Sequence, residues 1–242
     1  MPDRESHSRF YAKAENYWVQ SRRPVVSLVF IAPLLAIYEV GVMVWGVQNG
    51  ADACMRQFLD VLGFSQHLLL PLLTVLVLLC WHYLTHEPWR FSPGVLWPMY
   101  VECLLLAICL QAVLVFQGTL LLGIDGPAEP GLAARLVGYL GAGIYEELLF
   151  RLILLSAMVW LIRRWWKAEN WSLVLAVLVS SLIFSGAHYV GPAGDVFRWF
   201  SFIFRFLAGV FFSILFIYRG FGIAAGAHAA YDILAILFLR SL

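Results

Sequence analysis

The chain has 242 residues, 62% of them hydrophobic and 13% charged, with a net charge of +1. A soluble domain is nearer half apolar and a quarter charged, so a water-facing globule is excluded and one compact membrane domain fills the length. The near-neutral balance removes any electrostatic case for a nucleic-acid partner. Mean hydropathy is +0.82, and the apolar residues occur in runs long enough to cross a bilayer as helices.

In chain order, residues 1–23 form a polar N-terminal arm ending in Arg22 and Arg23 rather than a cleavable leader. Pro24–Val47 is the first predicted span. Ala51–Phe64 carries Asp52, Arg56 and Asp60 on one face and Phe58, Leu59 and Leu62 on another, which predicts a helix lying at the membrane interface. Further spans are predicted at Leu68–Leu84, Met99–Gly123, Leu132–Ile162, Trp171–His188, Val196–Tyr218 and Phe221–Leu239. Residues 84–98 and 123–131, with Pro88, Pro93, Pro127 and Pro130, read as loops. The fold class is therefore all-α, a polytopic transmembrane helical bundle. Residues 24–131 supply its N-terminal helices and residues 132–242 its chemistry. The four cysteines (Cys54, Cys80, Cys103, Cys109) lie in or beside apolar runs without metal-type spacing and are read as packing residues.

Leu132–Ile162 spans 31 residues, about 45 Å as an α-helix, against a hydrocarbon core of about 30 Å. It is either one tilted, protruding helix or two segments broken near Glu146–Glu147, giving seven or eight membrane segments. Lysine and arginine bias places the N-terminal arm (Arg4, Arg9, Lys13, Arg22, Arg23) and the 163–167 loop (Arg163, Arg164, Lys167) in the cytoplasm. The expected location is the plasma or cytoplasmic membrane, with a cytoplasmic N-terminus.

Ionisable groups inside spans are costly and point to function by default. Three stretches concentrate them. In Tyr145–Arg151, Glu147 and Arg151 stand four apart and can pair, while Glu146 is turned about 100° away without that partner. An uncompensated carboxylate of this kind suits general acid–base work. In Phe184–His188 the two ends share a helix face; a lone histidine there is by itself a weak signal. In His228–Asp232 the carboxylate is placed to hold the imidazole. Gly222 and Gly226 form a GxxxG pair, and small residues from Gly138 to Gly143 precede the glutamates, so the helices bearing Glu146 and His228 are expected to approach closely. Glu39 and Glu102, outside these stretches, are read as members of interhelical hydrogen bonds.

Glu146-Glu147…Arg151, Phe184…His188 and His228…Asp232, in this order, resemble the EExxxR, FxxxH and Hxxx(N/D) motifs of the CPBP (CAAX protease and bacteriocin-processing) family of intramembrane proteases. The resemblance covers about residues 132–240. It implies that Glu146 and His188 activate water and that His228 and Asp232 form the oxyanion site. Glu147, Arg151 and Phe184 would then support that site. It also implies a membrane-associated protein or peptide as substrate in the lipid bilayer, and no cofactor. The prenyl endopeptidases of the family have asparagine where this chain has Asp232, and an ionised carboxylate cannot donate to an oxyanion; Asp232 is expected to act through His228. The nearest rival within catalysis uses Glu146, His188, His228 and Asp232 as zinc ligands, although no HExxH occurs. The non-catalytic rival is a membrane immunity or transport protein.

Overall fold

The computed structural model describes residues 17–46, 48–63, 68–90, 92–120, 131–166, 169–191 and 194–239, which are helical throughout their ordered elements and contain no strand. Residues 1–16 of the N-terminal arm, Phe64, residues 123–130 of the predicted loop and Lys167 lie outside the described residues. The helices are α1 (Pro24–Trp45), α2 (Gly50–Val61), α3 (Leu69–Leu84), α4 (Leu96–Leu120), α5 (Leu132–Gly141), α6 (Ser156–Trp165), α7 (Glu169–Ala187), α8 (Trp199–Arg219) and α9 (Phe221–Leu239).

Among the described residues, four helical stretches are long and apolar enough to cross a membrane, namely Pro24–Trp45, Pro93–Val115, Asn170–Ala187 and Trp199–Arg219; Leu69–Leu84 and Phe221–Leu237 are shorter apolar helices. Pro93 opens a short 3₁₀ turn, Pro93–Val95, that leads directly into α4. The helix therefore starts inside the predicted 84–98 loop, because proline is tolerated in a first helical turn.

Between α5 and α6 the chain does not break. Two π-helical stretches, Ala142–Glu146 and Leu148–Leu155, carry it through, and Glu147 between them keeps right-handed helical dihedrals (φ −66°, ψ −35°). Leu132–Trp165 is thus one helical run with widened turns. Widened turns of this type recur at functional sites, and here Glu146 ends the first and Glu147 lies between the two.

Helix α9 lies at the centre, packed on α4, α8, α1 and the first π stretch. Close approach there depends on small residues. A Cβ at Gly143 would stand 2.6 Å from the Ala225 carbonyl oxygen and 2.7 Å from Ala229. The GxxxG pair serves another interface: Gly222 meets Ser27 and Met99, and Gly226 meets Cys103 and Phe30. The glutamate-bearing run is brought to α9 by Gly143 against two alanines. Gly220 (φ +82°) is the sole residue between α8 and α9, a conformation that glycine adopts without a Cβ penalty.

Helix α2 is amphipathic as expected, but Asp52 and Arg56 turn inward beside Leu59 and Met55, which pack on the core, while Asp60 is exposed. Asp52 is fully buried, and Arg56 bonds both Asp52 and Glu39 of α1. Phe58, Val61 and Leu62 are exposed. Asp52 and Arg56 turn inward because Tyr38 and Glu39 of α1 offer them partners. Glu102 bonds Arg219 through two nitrogens, at 2.6 and 2.7 Å. Arg219 in turn lies 3.7 Å over the Trp18 ring, so Glu102 is a satisfied interhelical group.

Candidate active site

The π-helical run, the end of α7 and the middle of α9 bring Glu146, Glu147, His188, His228 and Asp232 together. Glu146 Oε2 is 3.8 Å from His188 Nε2 and 3.9 Å from His228 Nε2. One carboxylate oxygen therefore faces two imidazole nitrogens from two different helices. His188 lies just past the end of α7, while His228 is only seven residues into α9, a difference in depth that sequence spacing leaves open. It is bridged by side-chain direction. Helical side chains tilt toward the helix N-terminus, and the His188 ring folds back so that its Nδ1–H donates to the Phe184 carbonyl one turn earlier, at 2.9 Å. That bond leaves Nε2 as the nitrogen turned to Glu146.

His228 is oriented by Glu147. Its Nδ1–H donates to Glu147 Oε1 at 2.8 Å, and its ring stacks on Phe212 at 4.4 Å between centroids. Asp232, expected to hold the imidazole, stands 3.6 Å from Nε2, beyond a direct hydrogen bond. The physical reason is that the Gly143 contact brings Glu147 onto the Nδ1 side of the ring, so the four-residue helical spacing to Asp232 leaves that carboxylate beside Nε2.

Glu147 and Arg151 pair at 3.0 Å with both side chains almost fully buried. Arg151 also lies 4.2 Å over the Phe184 ring and donates to the Gly209 carbonyl at 3.3 Å. Phe184 is a common wall: its ring is 5.0 Å from His188 and 6.2 Å from His228. A buried pair held on several sides in this way resists the desolvation cost that would otherwise expel it.

The second oxygen of Glu146 has a partner that sequence reading did not find. Asn49 Nδ2 donates to Glu146 Oε1 at 3.2 Å. Asn49 precedes α2, and its backbone N–H donates to Tyr38 Oη at 3.0 Å, while Tyr38 donates to Asp52 at 2.7 Å. Tyr145, beside Glu146, donates to Glu39 at 2.5 Å. An Asn-Gly ahead of an amphipathic segment signals a helix cap, but nothing in it announces a partner 97 residues away.

Chemically, the site offers a carboxylate with one engaged and one open oxygen, an imidazole nitrogen free to accept, and a second imidazole anchored on its far side. No curated protein and no solved structure matches the chain. Residues 128–234 match the family model described as Type II CAAX prenyl endopeptidase Rce1-like. That segment contains the two glutamates, Arg151, Phe184, both histidines and Asp232, and excludes Asn49 and α2. Over that segment, which is less than half of the 242 residues, the helical bundle is similar to the type II CAAX prenyl endopeptidases of the Rce1-like kind.

Proposed function

We propose that the protein is a glutamic-type intramembrane endopeptidase that hydrolyses a peptide bond of a membrane-associated protein or peptide. The observation that carries this reading is the open Glu146 oxygen facing both His188 Nε2 and His228 Nε2, within 3.9 Å of each. Water at Glu146 Oε2 donates one hydrogen bond to that carboxylate and one to His188 Nε2. Glu146 takes the proton as the oxygen attacks the peptide carbonyl. His228 donates from Nε2 to the developing oxyanion while Nδ1–H stays on Glu147. Glu146 then returns the proton to the leaving amine. Asp232, on the Nε2 side of His228, sustains that donor. The family description motivates testing an isoprenyl-cysteine peptide beside its unmodified counterpart.

The test uses purified protein in liposomes and internally quenched peptides, prenylated and unprenylated. Cleavage of either peptide with unchanged rate under chelation supports the reading. Absence of cleavage in both, with unaltered membrane-protein termini in cells carrying wild-type or Glu146→Gln protein, overturns it. Asp232 separates the two catalytic chemistries. Asparagine has nearly the same shape and still accepts a hydrogen bond, so Asp232→Asn retains much of the activity. Asp232→Ala is expected to cost about 10²-fold, the scale of losing an oxyanion donor. Equal loss in both variants, with chelated wild type recovering on added zinc, assigns the residue to a metal instead.

The N-terminal arm and the 163–167 loop are placed in the cytoplasm by their lysines and arginines. Single cysteines at Lys13, Pro127 and Lys167, in an otherwise cysteine-free protein, report this in intact cells. Positions 13 and 167 are expected to be shielded from an impermeant thiol reagent and position 127 labelled. Opposite behaviour of 13 and 167 would require an eighth crossing.

A further inference from the structure

We infer that Asn49 is a positioning residue for Glu146, and that the inward-turned Asp52 and Arg56 of α2 form the brace that holds Asn49 in place. This rests on the proposed role of Glu146 and adds a component from outside the family-matched segment.

Glu146 has two oxygens with different surroundings. Oε1 accepts from Asn49 Nδ2 at 3.2 Å, whereas Oε2 faces the two imidazoles. A carboxylate on a flexible glutamate side chain has several rotamers, and only those that aim one oxygen between His188 and His228 are productive. The Asn49 amide selects among them by occupying the other oxygen.

Asn49 is fixed at two further points. Its Oδ1 accepts from Ala51 N–H at 2.8 Å and caps α2. Its backbone N–H donates to Tyr38 Oη at 3.0 Å. Tyr38 in turn donates to Asp52, which Arg56 ties to Glu39, and Glu39 accepts from Tyr145, the residue next to Glu146. The chain of contacts leaves Glu146 through Asn49 and returns to the glutamate run through Tyr145. Because the Oδ1 cap consumes the acceptor, the amide NH₂ is the group left to face Glu146; the assignment of nitrogen and oxygen follows from the network. The loop is closed, so a shift of α2 displaces the glutamate.

Asn49→Ser and Asn49→Asp both retain an N-cap acceptor while removing the amide donor to Glu146. Each is expected to lower kcat at least about tenfold on a quenched prenylated peptide, with KM little changed, since the lost contact is to Glu146 and acts in the chemical step. A merely structural role would lower activity only as far as the folded fraction falls. A measurement independent of activity accompanies this: melting temperatures in detergent of Asn49→Ser, Glu146→Ala and the double variant. Their losses are expected to be non-additive, with Asn49→Ser costing little once Glu146 is gone. Additive losses, or wild-type kcat in both Asn49 variants while Glu146→Gln is inactive, overturn the bracing role alone. Full activity of Glu146→Gln removes the role of the glutamate and the brace with it.

Discussion

Glu146→Gln is expected to fold, to melt within a few degrees of wild type, and to lose essentially all peptidase activity. Glutamine keeps the shape of the side chain and an oxygen that can still accept from Asn49 at the position where Oε1 does so at 3.2 Å. What it cannot do is take a proton from water. Loss of a general base costs about 10² to 10⁴-fold, and the same carboxylate is assigned the return of the proton to the leaving amine, so the upper end of that range applies. The variant is purified beside wild type, its melting followed in detergent, and its turnover measured on the same quenched peptide. Full turnover in a pure, folded sample removes Glu146 from the mechanism. Turnover lost together with the melting transition would show that the glutamate holds the fold, as its neighbour does.

The largest effect on stability is expected at the Glu147–Arg151 pair. The two side chains are 0% and 1% exposed, and Arg151 also lies over Phe184 and against the Gly209 carbonyl. Removing one member leaves an uncompensated charge in an apolar interior, a loss of about 3–5 kcal/mol. Arg151→Met should therefore lower the melting temperature sharply and reduce the yield of folded protein. Glu147→Gln leaves the guanidinium unpaired but keeps an acceptor near His228 Nδ1. Its activity is expected to fall in step with its stability. Wild-type melting with activity lost would move Glu147 from supporting His228 into the chemistry itself.

The reciprocal behaviour of these adjacent glutamates explains why the chain carries two. Glu147 is tied to structure through Oε1, which contacts both His228 Nδ1 and Arg151, and its Oε2 is buried away from both imidazoles' facing nitrogens without a hydrogen-bond partner among the described residues. Glu146, rotated away from the arginine, keeps an oxygen open. Small residues decide that both reach α9: Gly143 against Ala225 and Ala229 leaves no room for a side chain.

Sequence alone determined the helical membrane class, because runs of this length and apolarity have no other way to satisfy their backbone in lipid. It also determined the Glu147–Arg151 pair, which is a local consequence of four-residue helical spacing, and the candidacy of Glu146, His188 and His228, which are too costly in apolar runs to be incidental. Three matters were decided only by tertiary structure. The 132–165 run stays continuous because π turns absorb extra residues without ending the helix, and periodicity does not distinguish those from α turns. His228 is held by Glu147 rather than Asp232, because the docking of two helices, and not spacing along one, sets which carboxylate reaches Nδ1. Asn49 meets Glu146 because Asp52 and Arg56 of α2 turn inward, a choice made by Tyr38 and Glu39 on α1 that no local pattern in residues 49–61 encodes.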